Sequence, residues 1–477
     1  MNTKYKAALI VGAVSALSTA AYADNAPTPD GTLTWYGITL YGTVDAGIQY
    51  TAHGAPQSDY FGPGSQELIA KQSDSSEAII GGNNLSQSKL GIKVKEDFGN
   101  GWSGVAKLES AFNPWSGQLT DGPRSLTENN GKAAGVQEAA GSSSLAGQLF
   151  ASAAYLGISN AQFGTLTFGR NTGILHDGIA IYDPMGTSYA FSPIGNSGVA
   201  AGGGDTEDRR LDNSVKYDVL VGPLHLGAQF QSKSEAHPGT AQEFVVGASF
   251  DHGSIDAYYM QRNDAVSFGA LSAAQLTSIS QVCSGTAVAN IACVTDYSKA
   301  VAGTVSDNTS YAVMGKYKFD AVNTTVFAGF EQIRYQNPSD PVGAGITGLG
   351  GYVVAAVNVQ SGADSTYPNT KQLTISWIGA KYALSPKWEI NGAYYRYDQN
   401  NYGATGYKGW TAGCSSTASA LCSGSENFVS VDTIYHATKR FDLYAGAMWN
   451  QVQGGLAAGF AFATATIDPT IGFRYNF

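Results

Sequence analysis

Segments that alternate apolar and polar residues are joined, in turn, by very short and very long connections along this chain, and few folds tolerate that asymmetry. Period-two alternation marks β-strands. It recurs from Leu40 to the last residue, as in Thr39–Tyr50, where Leu40, Val44, Ala46, Ile48 and Tyr50 share one face and Tyr41, Thr43, Asp45 and Gln49 the other. The same split sets Leu90, Ile92 and Val94 against Lys89, Lys93 and Lys95, and Leu224, Leu226, Ala228 and Phe230 against His225, Gln229 and Gln231.

The short connections are Gly99-Asn100-Gly101, Ala161-Gln162, Gly222-Pro223, His252-Gly253, Asp320-Ala321, Ser385-Pro386 and Lys439-Arg440. Between them lie long segments, roughly Ala52–Ser86, Pro114–Gly147, Thr172–Arg210, Lys233–Thr240, Asn263–Asn308, Gln336–Asn369, Asp398–Ser425 and Val452–Thr466. Seven turns and eight loops imply 16 strands. Several long structureless loops count against a soluble domain, whereas outer-membrane barrels have short periplasmic turns, long outer loops and an even strand number. The expected fold is therefore all-β, a 16-stranded antiparallel transmembrane barrel whose lumen is too wide for side chains to fill.

Composition agrees, since charged residues are only 13% of the chain, against about 25% in soluble domains, while Gly numbers 59 and aromatics reach 11%. A lipid-facing belt with aromatic girdles needs that mixture. Lys4 and Lys6, the apolar run from Ala7 to Ala21 and the small-residue site Ala21-Tyr22-Ala23 read as a secretory signal peptide. The expected domains are residues 1–23, the signal, and 24–477, the barrel. Removing the leader leaves 25 basic residues against 37 acidic ones, a net charge of −12 that argues against nucleic acid as a partner. In an exported chain, the close pairs Cys283–Cys293 and Cys414–Cys422 read as intra-loop disulfides, because a cysteine metal site wants shorter spacings and nearby His.

The closing run Ile471-Gly472-Phe473-Arg474-Tyr475-Asn476-Phe477 resembles the C-terminal strand of Gram-negative outer-membrane barrels. That resemblance implies that Phe473, Tyr475 and Phe477 form the signal for the barrel-assembly machinery. Three further stretches carry a narrower likeness: Leu40–Gly47, Lys89-Leu90-Gly91 leading to Glu96–Gly101, and Phe163–Asn171. With Asp212–Tyr217 and Thr438–Tyr444, they make the chain similar, over nearly its whole mature length, to a general porin of the β-proteobacterial type. The resemblance implies a homotrimer in the outer membrane of a Gram-negative bacterium, set among lipid and lipopolysaccharide. It further implies passive diffusion of small hydrophilic solutes, with no cofactor and no enzymatic reaction.

In that family the third long loop narrows the pore, its acids facing basic residues on the wall. Here the loop is residues 172–210, with candidate acids Asp177, Asp183, Asp205, Glu207 and Asp208, of which Asp177 and Asp183 are favoured by position. The wall would hold Lys89, Lys93 and Lys95, with Lys107, Arg210 and Lys216 by parity. Opposite charges across a water-filled gap orient polar solutes and disfavour apolar ones. Related porins usually place an Arg near Ser152, and the fourth strand, Gln148–Ser159, has no basic residue. The thin ladder and the acidic net charge point to cation preference. Arg170 shares the outward parity of Leu166 and Phe168, so either a bulge turns it inward or it lies at a subunit interface. The resemblance favours the interface, with Glu128 or Glu138 of a neighbour as partner.

Two motifs are set aside. Gly343-Ala-Gly345-Ile-Thr-Gly348 matches a dinucleotide pattern but sits in a loop without a following helix, and is read as flexible. The six histidines lack metal-protease spacing, no metal site is expected, and Asp205, Glu207 and Asp208 read as a solvated acidic loop rather than a calcium site. The competing readings are a barrel whose loops act as adhesin or receptor, and a barrel with a hydrolase site at its rim.

Overall fold

In the computed structural model, the alternating segments become one closed barrel. The structure describes residues 33–54, 75–115, 117, 149–150, 152–195, 210–233, 239–269, 300–339, 345–349, 352–356, 359–360, 363–364, 367–403, 421–457 and 463–477. Residues 1–23, Glu128, Glu138, Asp205, Glu207, Asp208, Cys283, Cys293 and Cys414 lie outside them.

The sixteen strands are β1 (Ile38–Gly54), β2 (Lys89–Gly99), β3 (Trp102–Ala111), β4 (Ala153–Asn160), β5 (Gly164–Thr172), β6 (Arg210–Val221), β7 (Leu224–Gln231) and β8 (Thr240–Phe250), then β9 (Gly253–Gly269), β10 (Ala300–Phe319), β11 (Thr324–Gln336), β12 (Lys371–Ser385), β13 (Trp388–Gln399), β14 (Gly424–His436), β15 (Phe441–Gly454) and β16 (Ala465–Asn476). Each pairs antiparallel with the next, and β1 pairs with β16 from Thr43↔Asn476 to Gln49↔Thr470, which closes the ring. Closure satisfies every strand edge internally, as a hydrocarbon surround demands. Among the described residues one α-helix, α1 (Ile174–Tyr182), leaves the wall after β5.

Large apolar side chains point outward and stay exposed along the strands, among them Leu40, Ile48, Leu90, Leu156, Phe168, Phe330 and Ile471. Aromatics gather at the short-turn end: Trp102 stacks on Phe163 with ring centres 5.8 Å apart, and Trp388 lies 4.7 Å from Tyr435. Such a girdle suits a membrane–water interface. Phe473 and Tyr475 lie on the same outward face, and the rings of Tyr475 and Phe477 are 6.2 Å apart.

The structure corrects several sequence expectations. The second barrel strand is interrupted: Ser75–Gly82 pairs with the upper part of β1, a bend of residues 83–88 follows, and β2 pairs with its lower part. The segment from Gly345 to Gly348 is not a free loop but one arm of a hairpin, Gly345–Leu349 with Tyr352–Ala356, whose second arm pairs in parallel with Ala300–Gly303. Thr172–Arg210 holds the nine-residue α1, too short to show as a periodic pattern. The inner face is not uniformly polar either. Met260, Met314, Ile333, Ile375, Trp377, Tyr395, Phe428 and Met448 point inward and are buried.

The seam is close-packed. Gly42 and Phe477 exchange backbone hydrogen bonds of 3.1 Å, and a Cβ at Gly42 would lie 2.4 Å from the Phe477 ring and 2.7 Å from the Lys89 carbonyl oxygen. Gly42→Val is therefore expected to cut the yield of folded barrel several-fold, seen as loss of the heat-modifiable band on unheated gels. The outward Val44→Leu should leave that yield unchanged.

Candidate constriction site

The chain after β5 folds into the lumen because the wall holds it at three places. At the entry, the Leu175 backbone N–H donates to Glu243 of β8 at 2.8 Å. That carboxylate faces the N-terminal end of α1, where a negative charge is favoured. Gly178 lets the helix lie directly on the wall, since a Cβ there would be 2.3 Å from the ring and hydroxyl of Tyr258.

At the helix end, Asp183 accepts the backbone N–H groups of Met185 at 3.1 Å and Thr187 at 2.6 Å, and the Tyr395 hydroxyl at 2.5 Å. The Trp377 indole N–H donates to the Tyr182 carbonyl at 3.0 Å. At 1% exposure, Asp183 is a loop anchor, which corrects its assignment as a pore-facing acid. Burial raises its carboxyl above the usual range, while the donors that bind it pull the other way.

Further on, Ala190 N–H at 2.9 Å and Ser188 Oγ at 2.8 Å donate to the Asn84 carbonyl of the bend, and the Tyr189 hydroxyl donates to Gln87 at 2.5 Å. The bend itself is held by Asp45, fully buried on β1. Its carboxylate accepts N–H groups from Asn84, Leu85 and Ser86 at 3.2, 3.1 and 2.9 Å, and the Tyr444 hydroxyl at 2.6 Å. Sequence reasoning placed Asp45 on the polar face and in the first motif but gave it no role. A carboxylate in a membrane strand was the available signal.

Between these anchors, Ile174, Leu175, Ile179, Tyr182, Met185, Phe191 and Ile194 pack on the inward apolar residues of β9–β15. Each such side chain contributes about 1.5–3 kcal/mol on burial, so swinging the loop free costs on the order of 10 kcal/mol in apolar contact alone. That half of the lumen is filled.

On β1–β6 lies a charged group, in which Glu109, Lys216 and Arg210 are buried and Lys89 and Lys107 half-buried. Lys89 and Lys107 approach Glu109 of β3 at 3.6 and 3.3 Å, the Tyr41 hydroxyl donates to Glu109 at 2.7 Å, and Lys93 Nζ lies 4.4 Å from the centre of the Tyr41 ring. Asp177, in the first turn of α1, is paired with Lys216 of β6, whose Nζ also donates to the Thr172 carbonyl at 3.0 Å. The structure thus gathers Lys89, Lys93 and Lys107 about Glu109 and Tyr41, and pairs Asp177 with Lys216, with Tyr155 within electrostatic range of both Glu109 and Asp177. Lys95 does not join them: it is exposed towards the short-turn end, its backbone bonded to Gly37.

Arg210, one of the bases expected on the wall, reaches across to β4. Its Nε donates to the carbonyl of Ser152 at 2.5 Å, so the guanidinium reaches the place where the sequence lacks a base, within electrostatic range of Glu109 and Lys107. The missing rung is filled from another strand.

Arg170 is buried. The ladder slips between Gly169 and Asn171, and Arg170 Nη1 pairs with Asp212 of the same chain at 2.5 Å. Of the two alternatives for Arg170, the register slip matches the bulge, and Asp212 of the same chain is one of its partners; Glu128 and Glu138 lie outside the described residues.

A family model described as Gram-negative porin matches residues 7–453. An outer membrane porin protein of Bordetella pertussis is 29% identical over 195 residues, which is 40% of this chain and 41% of that relative's length. Among solved structures, the chain is similar to an anion-selective porin from Comamonas acidovorans, with TM-score 0.56 and 15% identity over 92% of this chain and 99% of that one. It is also similar to OmpT, an outer membrane protein of Vibrio cholerae, with TM-score 0.54 and 14% identity over 94% of this chain and 100% of that one. A trimer form of OmpT gives TM-score 0.54 at 12% identity, over 92% of this chain and 99% of that one.

The anchors can be tested one at a time. Asp45→Ala removes the acceptor for four donors, and each buried donor left unpaired costs about 1–3 kcal/mol. The expected result is a lowered unfolding temperature together with frequent sub-millisecond current flicker in single-channel records. Val44→Ala, on the lipid face of the same strand, should show no flicker.

Proposed function

The chain belongs to the Gram-negative porin family and forms an outer-membrane channel, and from that premise we propose that it passes small hydrophilic solutes and ions by passive diffusion, with preference for anions. The observation that carries the selectivity is the cluster in which the five bases Lys89, Lys93, Lys107, Arg210 and Lys216 outnumber the three acids Glu109, Asp177 and Glu243. The charge nearest the ion's path sets its preference more than the net charge of the chain, because exposed charges more than about 8–10 Å away are screened at physiological salt. The net charge of −12, from which cation preference was expected, is therefore a poorer guide than the local excess of bases, to which Arg210 adds at the position of Ser152. A structural neighbour described as anion-selective is consistent with this reading.

Solutes cross without chemistry. The ammonium groups on one side and Asp177 on the other set up a transverse field, which an apolar solute cannot use to offset its loss of hydration. Asp177 sits on a loop fixed by apolar packing, so the field has a fixed direction.

The chain works as a homotrimer in this proposal, in contact with lipid and lipopolysaccharide. The trimer form of OmpT supports the assembly. In the trimer proposed, the Arg170–Asp212 pair at the end of β5 faces the neighbouring subunit, and Phe473, Tyr475 and Phe477 are proposed as the signal for the assembly machinery. Residues 1–23 direct export, and the cysteines pair as Cys283–Cys293 and Cys414–Cys422. Cys422 is buried and disulfide-bonded, which supports the second pair.

Zero-current potentials in a tenfold potassium chloride gradient across a planar bilayer test the selectivity. The unmodified channel should give the anion sign, with stepwise conductance. Lys89→Gln with Lys107→Gln should move the potential towards cations by at least 10 mV, and Asp177→Asn should move it the other way. A cation sign for the unmodified channel, or no response to either change, contradicts the proposal.

A further inference from the structure

Lower on the lumen wall, towards the short-turn end, β13 and β14 bring two carboxylates together around one amide. Asn391 and Asp432 are directly paired across the ladder, and Glu389 faces inward two residues before Asn391. The Asn391 Nδ2 donates to Glu389 Oε1 at 2.9 Å and to Asp432 Oδ1 at 2.8 Å, so the amide lies between the two acids. Asn391 Oδ1, Asp432 Oδ2 and the Ser430 Oγ are buried and accept or donate no hydrogen bond, and Asn391 and Asp432 are each only 2% exposed. A buried acceptor without a donor costs about 1–3 kcal/mol, more when it is charged. Two of these oxygens belong to the directly paired Asn391 and Asp432, and Ser430 stands two residues before Asp432 on β14, an arrangement that calls for a common partner.

Two bases, Lys381 and Arg474, lie within electrostatic range of Asp432, but neither forms an ion pair with it. Lys381 of β12 is the ladder partner of Asn391, but its Nζ lies over the Phe327 ring, 5.8 Å from the centre, and it makes no ion pair with either acid. Arg474 of β16 donates to Asp442 through Nε at 2.9 Å and Nη2 at 2.7 Å, and His436 holds the other oxygen of Asp442 at 2.7 Å. From the constriction loop above, Asp183 is tied to Tyr395 and to its own loop. An amide N–H₂ satisfies the two carboxylates geometrically and leaves their charge in place.

We propose that Glu389, Asn391 and Asp432 form a binding site for a hard divalent cation of calcium or magnesium type. The nitrogen and oxygen of an Asn amide are nearly interchangeable in shape. A half-turn of the Asn391 side chain puts Oδ1 between the carboxylates, where Nδ2 now lies. The site then offers two carboxylates and a carbonyl oxygen, with Ser430 and water to complete the shell, the oxygen-only set such ions take. The two positive charges of the ion balance the two acids. Binding ties β13 to β14 and removes negative charge from the wall, so a loaded channel attracts anions more strongly than a stripped one. The site stands whether or not the selectivity proposed above holds, because binding is measured without ion flux.

The test uses the full-length folded channel in detergent, stripped with chelator and titrated calorimetrically with calcium chloride and then magnesium chloride at neutral pH. Saturable binding of one ion per chain and a rise of several degrees in unfolding temperature are expected. Asp432→Asn and Glu389→Gln should each weaken binding at least tenfold. Asn391→Asp, which adds a third carboxylate and needs no amide turn, should tighten it, and Asp398→Asn, at an exposed pair with Arg396, should leave it unchanged. Absence of saturable binding to the unmodified protein overturns the proposal, whatever the variants do. So does binding that survives both Asp432→Asn and Glu389→Gln. Stabilisation on mild acidification with no response to either metal would assign the two acids to a shared proton.

Discussion

Every backbone N–H and C=O in a lipid-facing strand must find a partner inside the protein, because hydrocarbon offers none. The rest of the architecture follows from that constraint. The β1–β16 seam closes the ring, and an even strand count puts both ends on the short-turn side. It also lets the long connections accumulate at one rim, and irregular backbone elsewhere, such as the bend of residues 83–88, has to be satisfied by side chains like Asp45. The loop after β5 re-enters the lumen with its own helix and capped ends, so its polar groups are met by Glu243, Asp183, Tyr395, Asn84 and its own backbone.

The loop then divides the lumen. One part of the inner wall carries a band of apolar side chains, from Met260 and Met314 to Ile375, Trp377 and Phe428, which packs with Leu175, Ile179, Tyr182 and Phe191 of the loop. Another part carries lysines, Arg210, Glu109 and Tyr41. Apolar packing fixes the loop, hydrogen bonds set its register, and the charges of α1 and the wall act on what passes. Asp45 links these roles, since one carboxylate gathers β1, the bend and β15, and the bend receives the loop.

Much of this was legible in the sequence, for physical reasons. Turns such as Gly99-Asn100-Gly101 announce themselves because Asn100 takes a positive φ of 53° between two glycines that do likewise. Lipid-facing positions are visible wherever the opposite face is polar, as in β1 and β2. Where both faces are apolar, as around Met314, Ile375 and Trp377, alternation carries no sign, and the covered half of the lumen could not be read. The pair Asp177–Lys216 was within reach because family resemblance supplied the loop and parity the wall. Asp45 with Tyr444, 399 residues away, and Arg210 against Ser152 were not, because each depends on how the ring brings distant strands together. Asp183 misled for a related reason. An acid in a pore loop reads as pore-facing until the donors around it are seen.

An off-centre passage bounded by a fixed loop is the central claim, and thiol accessibility tests it most directly. Single cysteines at Lys93 on the charged side, and at Ile333 or Ile375 under the loop, would be exposed to a small water-soluble methanethiosulfonate during bilayer recording. The account predicts rapid modification at Lys93 with a step change in current, and no change at either isoleucine position. Equal reactivity on both sides, or modification only beneath the loop, would contradict it.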